Sequence, residues 1–311
     1  MRLALKVDVD TLRGTREGVP ALVEMFRRHD VHATFLFSLG RDHTGRAIRR
    51  VLRPGFVGKV RRTSVVQHYG WRTLMYGTLL PGPDIGRRGA DVMKAVRDAG
   101  HETGIHCHDH VRWQDGVATA DAAWTKREME RACDRYTAIF RTAPTTHGAA
   151  GWQMNVHALR LTQQLGFDYC SDGRGASPHL PVWRGELIRC AQVPTTLPTL
   201  DEVIGMDGVT EDNADEALLG LTGAPPACGS HVFTLHAELE GMRLAPVLER
   251  LLSGWRAQGY ALGPVRAIVD AVEPLALPRC EALQGPIPGR SGNVLLQGAE
   301  FLGDVDLAEA A

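Results

Sequence analysis

No C-x-x-C pair occurs among the six cysteines, which stand at Cys107, Cys133, Cys170, Cys190, Cys228 and Cys280. Such irregular spacing excludes zinc-finger and dithiol redox motifs, and a chain of 311 residues buries a core without disulfides, so the cysteines read as reduced thiols. Long apolar runs are missing too: none approaches the roughly 18 to 20 residues of a membrane span. The opening MRLALKVDVD reaches Asp8 before a signal-peptide core forms, so the expected location is the cytoplasm. Charge of one sign is equally absent. Lys and Arg number 35 against 36 Asp and Glu, a formal net charge of -1, and no nucleic-acid partner is expected from that balance. There is no internal repeat or low-complexity linker. The remaining class is a globular chain of a length that suits one large α/β barrel.

The periodicity supports that class. Leu3 to Val9 is β-rich and alternating, a buried first strand that carries Asp8 and Asp10 to its C-terminal end. An amphipathic helix follows over 19–28, with Leu22, Val23 and Phe26 on its apolar side, and ATFLFSL at 33–39 returns as a second strand. Units of this kind impose parallel strands with right-handed crossovers and put functional sites at the strands' C-terminal ends. Further on, the pattern predicts helices near 90–98, 121–140 and 244–258, and strands near 169–172, 187–194 and 232–235. Residues 1–275 are expected to form one barrel domain. The Gly- and Pro-rich tail over 276–311 reads as an extended lid or arm.

Residues 40–90 break the rhythm as an insertion. Arg41, Arg46, Arg49, Arg50, Arg53, Lys59, Arg61 and Arg62 are interleaved with Ile48, Val51, Leu52, Phe56, Val57 and Val60, and Tyr69, Trp71, Met75 and Tyr76 follow. This composition suits a helix lying on an anionic membrane or a surface that receives a phosphorylated lipid. A solvated basic helix packed on the barrel has the same composition.

The densest group of metal-ligand side chains is HETGIHCHDH at 101–110. His106 and His110, four residues apart where a strand gives way to a helical turn, would lie on one face and reach a single ion. Asp8 and Asp10 share one side of their strand, since strand side chains alternate. One aspartate with two histidines leaves positions on a divalent ion open for water and substrate, and the second aspartate is then placed to take a proton from that water. Zinc, cobalt, manganese and nickel all accept such a set. Read singly, Asp8 and Asp10 could equally cap a turn, and His236, at the end of Thr234-Leu235-His236, could be a packed strand histidine.

Together these residues resemble the polysaccharide deacetylases of the NodB-homology, carbohydrate esterase 4 type, metal-dependent hydrolases of N-acyl sugars on a distorted (β/α) barrel. Further stretches look like one branch, the ArnD-type deformylases: DVDTLRGTREG at 8–18, YGW at 69–71, AAGW at 149–152, SDGRGA at 171–176, PTTLPTLDEVIG at 194–205 and TLHAELEG at 234–241. Enzymes of that branch remove formyl from 4-deoxy-4-formamido-L-arabinose on undecaprenyl phosphate, in lipid A modification and polymyxin resistance. The resemblance implies a metal held by Asp10, His106 and His110, Asp8 as general base and His236 as general acid. It also implies Asp172 and Arg174 as supports for the base and Trp152 as the pocket's aromatic wall. Tyr69, Trp71, Arg13 and Arg16 are expected to meet the substrate, and Glu238 and Glu240 either to bind the sugar's amine or simply to be solvated.

The chain departs from the wider family in two places. Val9 splits the usual adjacent acids, and Gly148-Ala149-Ala150-Gly151-Trp152 replaces the third motif's Arg-Pro, leaving Arg174 as the candidate to orient the base. The expected partners are the undecaprenyl-linked sugar and an anionic inner-membrane surface, approached peripherally. A deacetylase of other N-acyl sugars would share the catalytic residues. A non-catalytic lipid-carrier binding protein would keep the insertion but would not need Asp8 and His236 together.

Overall fold

The computed structural model describes residues 1–47, 70–290 and 292–302. Tyr69 and the basic residues Arg49, Arg50, Arg53, Lys59, Arg61 and Arg62 lie outside the described residues.

The first strand, β1 (Arg2–Val9), is buried from Leu3 onward because it has neighbours on both edges. One edge carries β9 (Ser230–His236), paired along its whole length from Arg2↔Ser230 to Asp8↔His236. The other edge is shared: β10 (Ala261–Gly263) pairs with residues 2–4 and β2 (Thr34–Ser38) with residues 6–9. From β2 the sheet continues through β3 (Glu102–Cys107), β4 (Thr146–His147), β5 (Tyr169–Cys170) and β8 (Ala191–Gln192), every pairing parallel. The chain past β8 then bends back toward β9, where the Thr196 amide donates to Val232 O at 3.1 Å and the Thr195 and Thr234 hydroxyls meet at 2.6 Å. Irregular backbone rather than a ladder therefore closes the ring, which is the distortion in this (β/α) barrel.

Helices cover the sheet in the expected rhythm: α1 (Val19–Arg28), α2 (Ala90–Asp98), α3 (His110–Gly116), α4 (Ala122–Phe140), α5 (Val156–Gln164), α6 (Ala214–Leu221) and α7 (Ala245–Ala257). In α1, Pro20 sits in the first turn, where no intrahelical donor is required, and Leu22, Met25 and Phe26 face inward. Val23 packs at the edge of that core. Asp121 caps α4 by accepting from the Trp124 amide. Phe35 and Phe37 on β2 and Phe233 on β9 meet these helices in one continuous apolar core, with Trp255 of α7 against Phe233 at 5.1 Å. Among the described residues no helix is long and apolar enough to cross a membrane.

The expectation of an extended C-terminal arm is corrected by the structure. β11 (Arg279–Gly285) and β12 (Val294–Glu300) form an antiparallel hairpin, and β11 also runs parallel to β6 (Leu180–Trp183), itself paired with β7 (Glu186–Leu187). Cys280, Ala282, Val294 and Leu295 are buried, so alternating small apolar side chains stitch the tail onto the barrel. The glycines and prolines that suggested an arm make the hairpin's connection.

Candidate active site

Side-chain alternation puts Lys6 and Asp8 on one face of β1, and Asp10 follows just past the strand's end. β3 brings His106 alongside, and α3 begins at His110. The start of α3 is set by Asp109, which accepts from the Arg112 amide at 3.1 Å and pairs with His43 Nδ1 at 2.6 Å. One candidate ligand atom from each of Asp10, His106 and His110 lies within 4.8 Å of the others. Asp10 Oδ1 stands 3.2 Å from His106 Nε2 and 3.4 Å from His110 Nε2.

Hydrogen bonding shows which atoms face this point. His106 Nδ1 donates to the Gly148 carbonyl at 2.7 Å, which fixes the tautomer and leaves Nε2 with its lone pair toward Asp10. Asp8 Oδ1 and Asp10 Oδ1 are both buried without a hydrogen-bond donor. Two orphaned carboxylate oxygens beside two imidazoles are costly unless a cation completes them, so this donor set fits a divalent metal ion. The charges act accordingly. Burial works to raise the Asp10 pKa, but His110, His106 and His236 outweigh it and hold the carboxyl below its ordinary value. Burial disfavours charge on His106, yet Asp8 and Asp10 reverse the effect and raise its pKa.

His236, at the end of β9, lies directly across the ladder from Asp8, and the following amide, of Ala237, donates to Asp8 O at 3.0 Å. His236 Nδ1 is buried without a partner. The five residues Asp8, Asp10, His106, His110 and His236 therefore gather at the C-terminal ends of β9, β1 and β3, with β2 between the last two.

Other expected site residues are placed differently. Glu238 and Glu240 are both fully buried, not solvated. Glu238 Oε1 accepts from the amides of Asp10 and Thr11 at 3.1 and 2.8 Å and from the Thr11 hydroxyl at 2.7 Å, so it holds the turn that presents Asp10. Glu240 Oε2 accepts from the His236 amide at 2.7 Å. Burial pushes both carboxyls up to about 8, helped for Glu238 by Asp10. Trp152 is 1% exposed, not a pocket wall. Its indole donates to Thr195 Oγ1 at 3.1 Å, and Arg290, Arg174 and Lys6 lie 4.1, 4.8 and 5.4 Å from its ring centre.

The pair expected to support the base is turned elsewhere. Arg174 binds both oxygens of Glu202 at 2.8 and 2.9 Å, and Asp172 accepts from His147 Nδ1, the Ala149 amide and Gln192 Nε2. The cation beside Asp8 is Lys6, whose Nζ lies 3.7 Å from Asp8 Oδ2 and donates to the Ser171 carbonyl at 2.9 Å. Burial pushes its ammonium below the ordinary lysine pKa, against Asp8 and Asp172, which raise it. Sequence reasoning passed over Lys6, although its place two residues before Asp8 on a buried strand was the available signal. Arg16 is committed to the fold, donating to the Arg88 carbonyl at 3.2 and 2.9 Å. Arg13 bonds Glu17 and packs against Gly70, next to the 69% exposed Trp71. A cavity of about 500 Å³ lies on the far side of Arg174, lined by Thr195, Val203, Met206, Leu221 and Ile287 and by none of the five clustered residues.

An Asp-His-His set with a second aspartate and a histidine at the C-terminal ends of parallel strands is of the kind that serves metal-assisted hydrolysis. Residues 3–170 match the polysaccharide deacetylase family model, and the chain belongs to that family. It is 37% identical, over 94% of its length and 93% of the relative's, to a probable 4-deoxy-4-formamido-L-arabinose-phosphoundecaprenol deformylase ArnD of Shewanella sediminis. It is 29% identical to the protein of the same description from Wigglesworthia glossinidia brevipalpis, over 91% of this chain and 98% of that one. Among solved structures, a protein assigned as a polysaccharide deacetylase from Mycobacterium smegmatis superposes with a TM-score of 0.63 at 17% identity, covering 92% of this chain and 94% of the other. A probable polysaccharide deacetylase from Pseudomonas aeruginosa PAO1 gives 0.55 at 15% identity, covering 84% and 86%. At those identities the two structures speak for the barrel fold alone.

Proposed function

We propose that the protein removes the formyl group from 4-deoxy-4-formamido-L-arabinose carried on undecaprenyl phosphate, using one divalent metal ion held by Asp10, His106 and His110. The observation that carries the hydrolytic reading is the pair of donor-less oxygens on Asp8 and Asp10 beside His106 and His110, with His236 in register across from Asp8. The formyl sugar lipid is favoured over an N-acetyl polysaccharide by the near end-to-end likeness to the Shewanella deformylase.

An ion at this point would polarise the amide carbonyl, lower the pKa of bound water and stabilise the developing oxyanion. Asp8 takes the proton of the attacking water. His236 gives a proton to the 4-amine as the C–N bond breaks. Formate and the amino sugar lipid are the products, and the balance requires only water. Glu238 fixes the Asp10 turn from behind, and the Gly148 carbonyl keeps His106 in the ligating tautomer. In this reading zinc, cobalt, manganese or nickel serves. The reaction belongs to lipid A modification and polymyxin resistance, and the enzyme works at the cytoplasmic face of the inner membrane, approached through the basic insertion.

Elemental analysis beside a formate-release assay tests the division of labour. Asp10→Ala and His106→Ala should lose metal and activity together. Asp8→Asn and His236→Ala should keep near-stoichiometric metal while turnover falls by roughly 10²- to 10⁴-fold. Loss of metal from Asp8→Asn would make Asp8 a ligand, and full activity in His236→Ala would send the leaving amine's proton to another donor.

A further inference from the structure

The stretch that follows β4 is Gly148-Ala149-Ala150-Gly151-Trp152 and brings no charged side chain to Asp8. An Asp8 carboxylate that is 3% exposed needs a neighbour that fixes its orientation. Arg174 does not meet that need, since its guanidinium is turned to Glu202 and the Leu197 carbonyl. Lys6 is 0% exposed and stands 3.7 Å from Asp8 Oδ2.

Three features hold its ammonium there. The stem rises from β1 on the same face as Asp8, the Ser171 carbonyl accepts one proton at 2.9 Å, and the Trp152 ring backs the charge at 5.4 Å. Gly148 makes the room. A Cβ at that position would come within 3.2 Å of Lys6 Cε, 3.3 Å of Ser171 O and 2.3 Å of Leu36 Cδ1, so a side chain there would crowd the lysine. The glycine that opens the altered third motif thus clears the path of a cation arriving from the first strand. Trp152 is held for this task by Thr195 below and by Arg174 and Arg290 on its ring, at a positive φ of 53° that few tryptophans adopt.

We propose that Lys6 is the positioning residue for Asp8, acting on it from the base's own strand. It touches neither substrate nor metal. Its work is to keep Asp8 aimed at the water, so its loss should lower turnover without changing substrate or metal affinity. The inference rests on Asp8 being the base.

The test is a cycle of Lys6→Met, Asp8→Asn and the double variant, with Lys6→Arg alongside, each measured for formate release, bound metal and thermal unfolding. Methionine matches the lysine stem without its charge, and Lys6→Gln replaces it in the cycle if Lys6→Met does not yield folded protein. Lys6→Met should keep its metal and stay within about twofold of the parent KM, while kcat falls by roughly 10²-fold. Lys6→Arg should recover most of that loss. The double variant should be no slower than Asp8→Asn alone, because a residue that acts through Asp8 has nothing to position once the base is gone. An unchanged kcat in Lys6→Met, loss of metal with it, or a further fall in the double variant would overturn the inference. If Asp8→Asn itself kept full activity, the assignment of the base would fail first, and the cycle separates the two failures.

Discussion

Glu240 is wholly enclosed, with Oε2 accepting the His236 amide and Oε1 facing no donor, a geometry that suits a carboxylic acid better than a carboxylate. Burial pushes its pKa up to about 8 from an ordinary 4.5, and Glu238 behaves alike. The folded protein therefore holds these protons up to about pH 8, while the unfolded chain releases them near 4.5. Their contribution to stability is complete below about 4.5 and is lost as pH rises through about 8. Metal-free protein should show a urea midpoint that falls from about pH 5 to about pH 8, and Glu240→Gln should flatten part of that fall. A midpoint that rose over the same range would contradict the assignment. Glu238→Ala strands three donors at the Asp10 turn and should cost about 1–3 kcal/mol, with weaker metal retention, read by denaturation and elemental analysis.

The turn of helix Gly14–Gly18, ahead of α1, rests closely on the loop after β9. A Cβ on Gly18 would lie 1.9 Å from the Ala237 carbonyl, and backbone cannot yield as a flexible side chain does. Since the Ala237 amide bonds Asp8 O, prying the loop away also moves Asp8 and His236. Gly18→Ala should lower both Tm and turnover. Gly220→Ala, in an exposed helical position with nothing near the new methyl, should leave turnover alone and add up to about 1 kcal/mol. Thermal melts of the two variants decide it.

The same scale explains what the chain disclosed in advance. β1, α1 and β2 were legible because alternation and an apolar helical stripe run for several residues in each. β4 and β8 are two residues long, too short for any period, and owe their strand geometry to neighbours in the sheet. The gathering of Asp10, His106 and His110 was legible because those residue types are chemically unusual at their spacing. Glu238, Glu240 and Trp152 were misplaced because charge suggests exposure and an aromatic suggests a pocket, whereas here the carboxyls brace backbone amides and the indole backs three cations. Lys6 was missed because a lysine in an apolar strand reads as an edge residue until both edges of that strand are known to be covered.

For the molecule as a whole, near-neutral charge leaves any attraction to a membrane to the basic insertion. At about 1 kcal/mol per basic side chain near an anionic surface, weakening with salt, the insertion should carry the protein onto vesicles. Replacing Arg49, Arg50, Arg61 and Arg62 with glutamate should abolish co-sedimentation with anionic vesicles at low salt; unchanged binding would make the insertion a structural feature of the barrel. The reaction itself is tested most directly by incubating the purified, metal-loaded protein with undecaprenyl-phosphate-linked formamido-arabinose and, separately, with an N-acetyl-sugar oligomer, following formate and acetate. Formate release from the lipid-linked sugar, with little or no acetate from the oligomer, is the predicted result, and acetate release alone would contradict it.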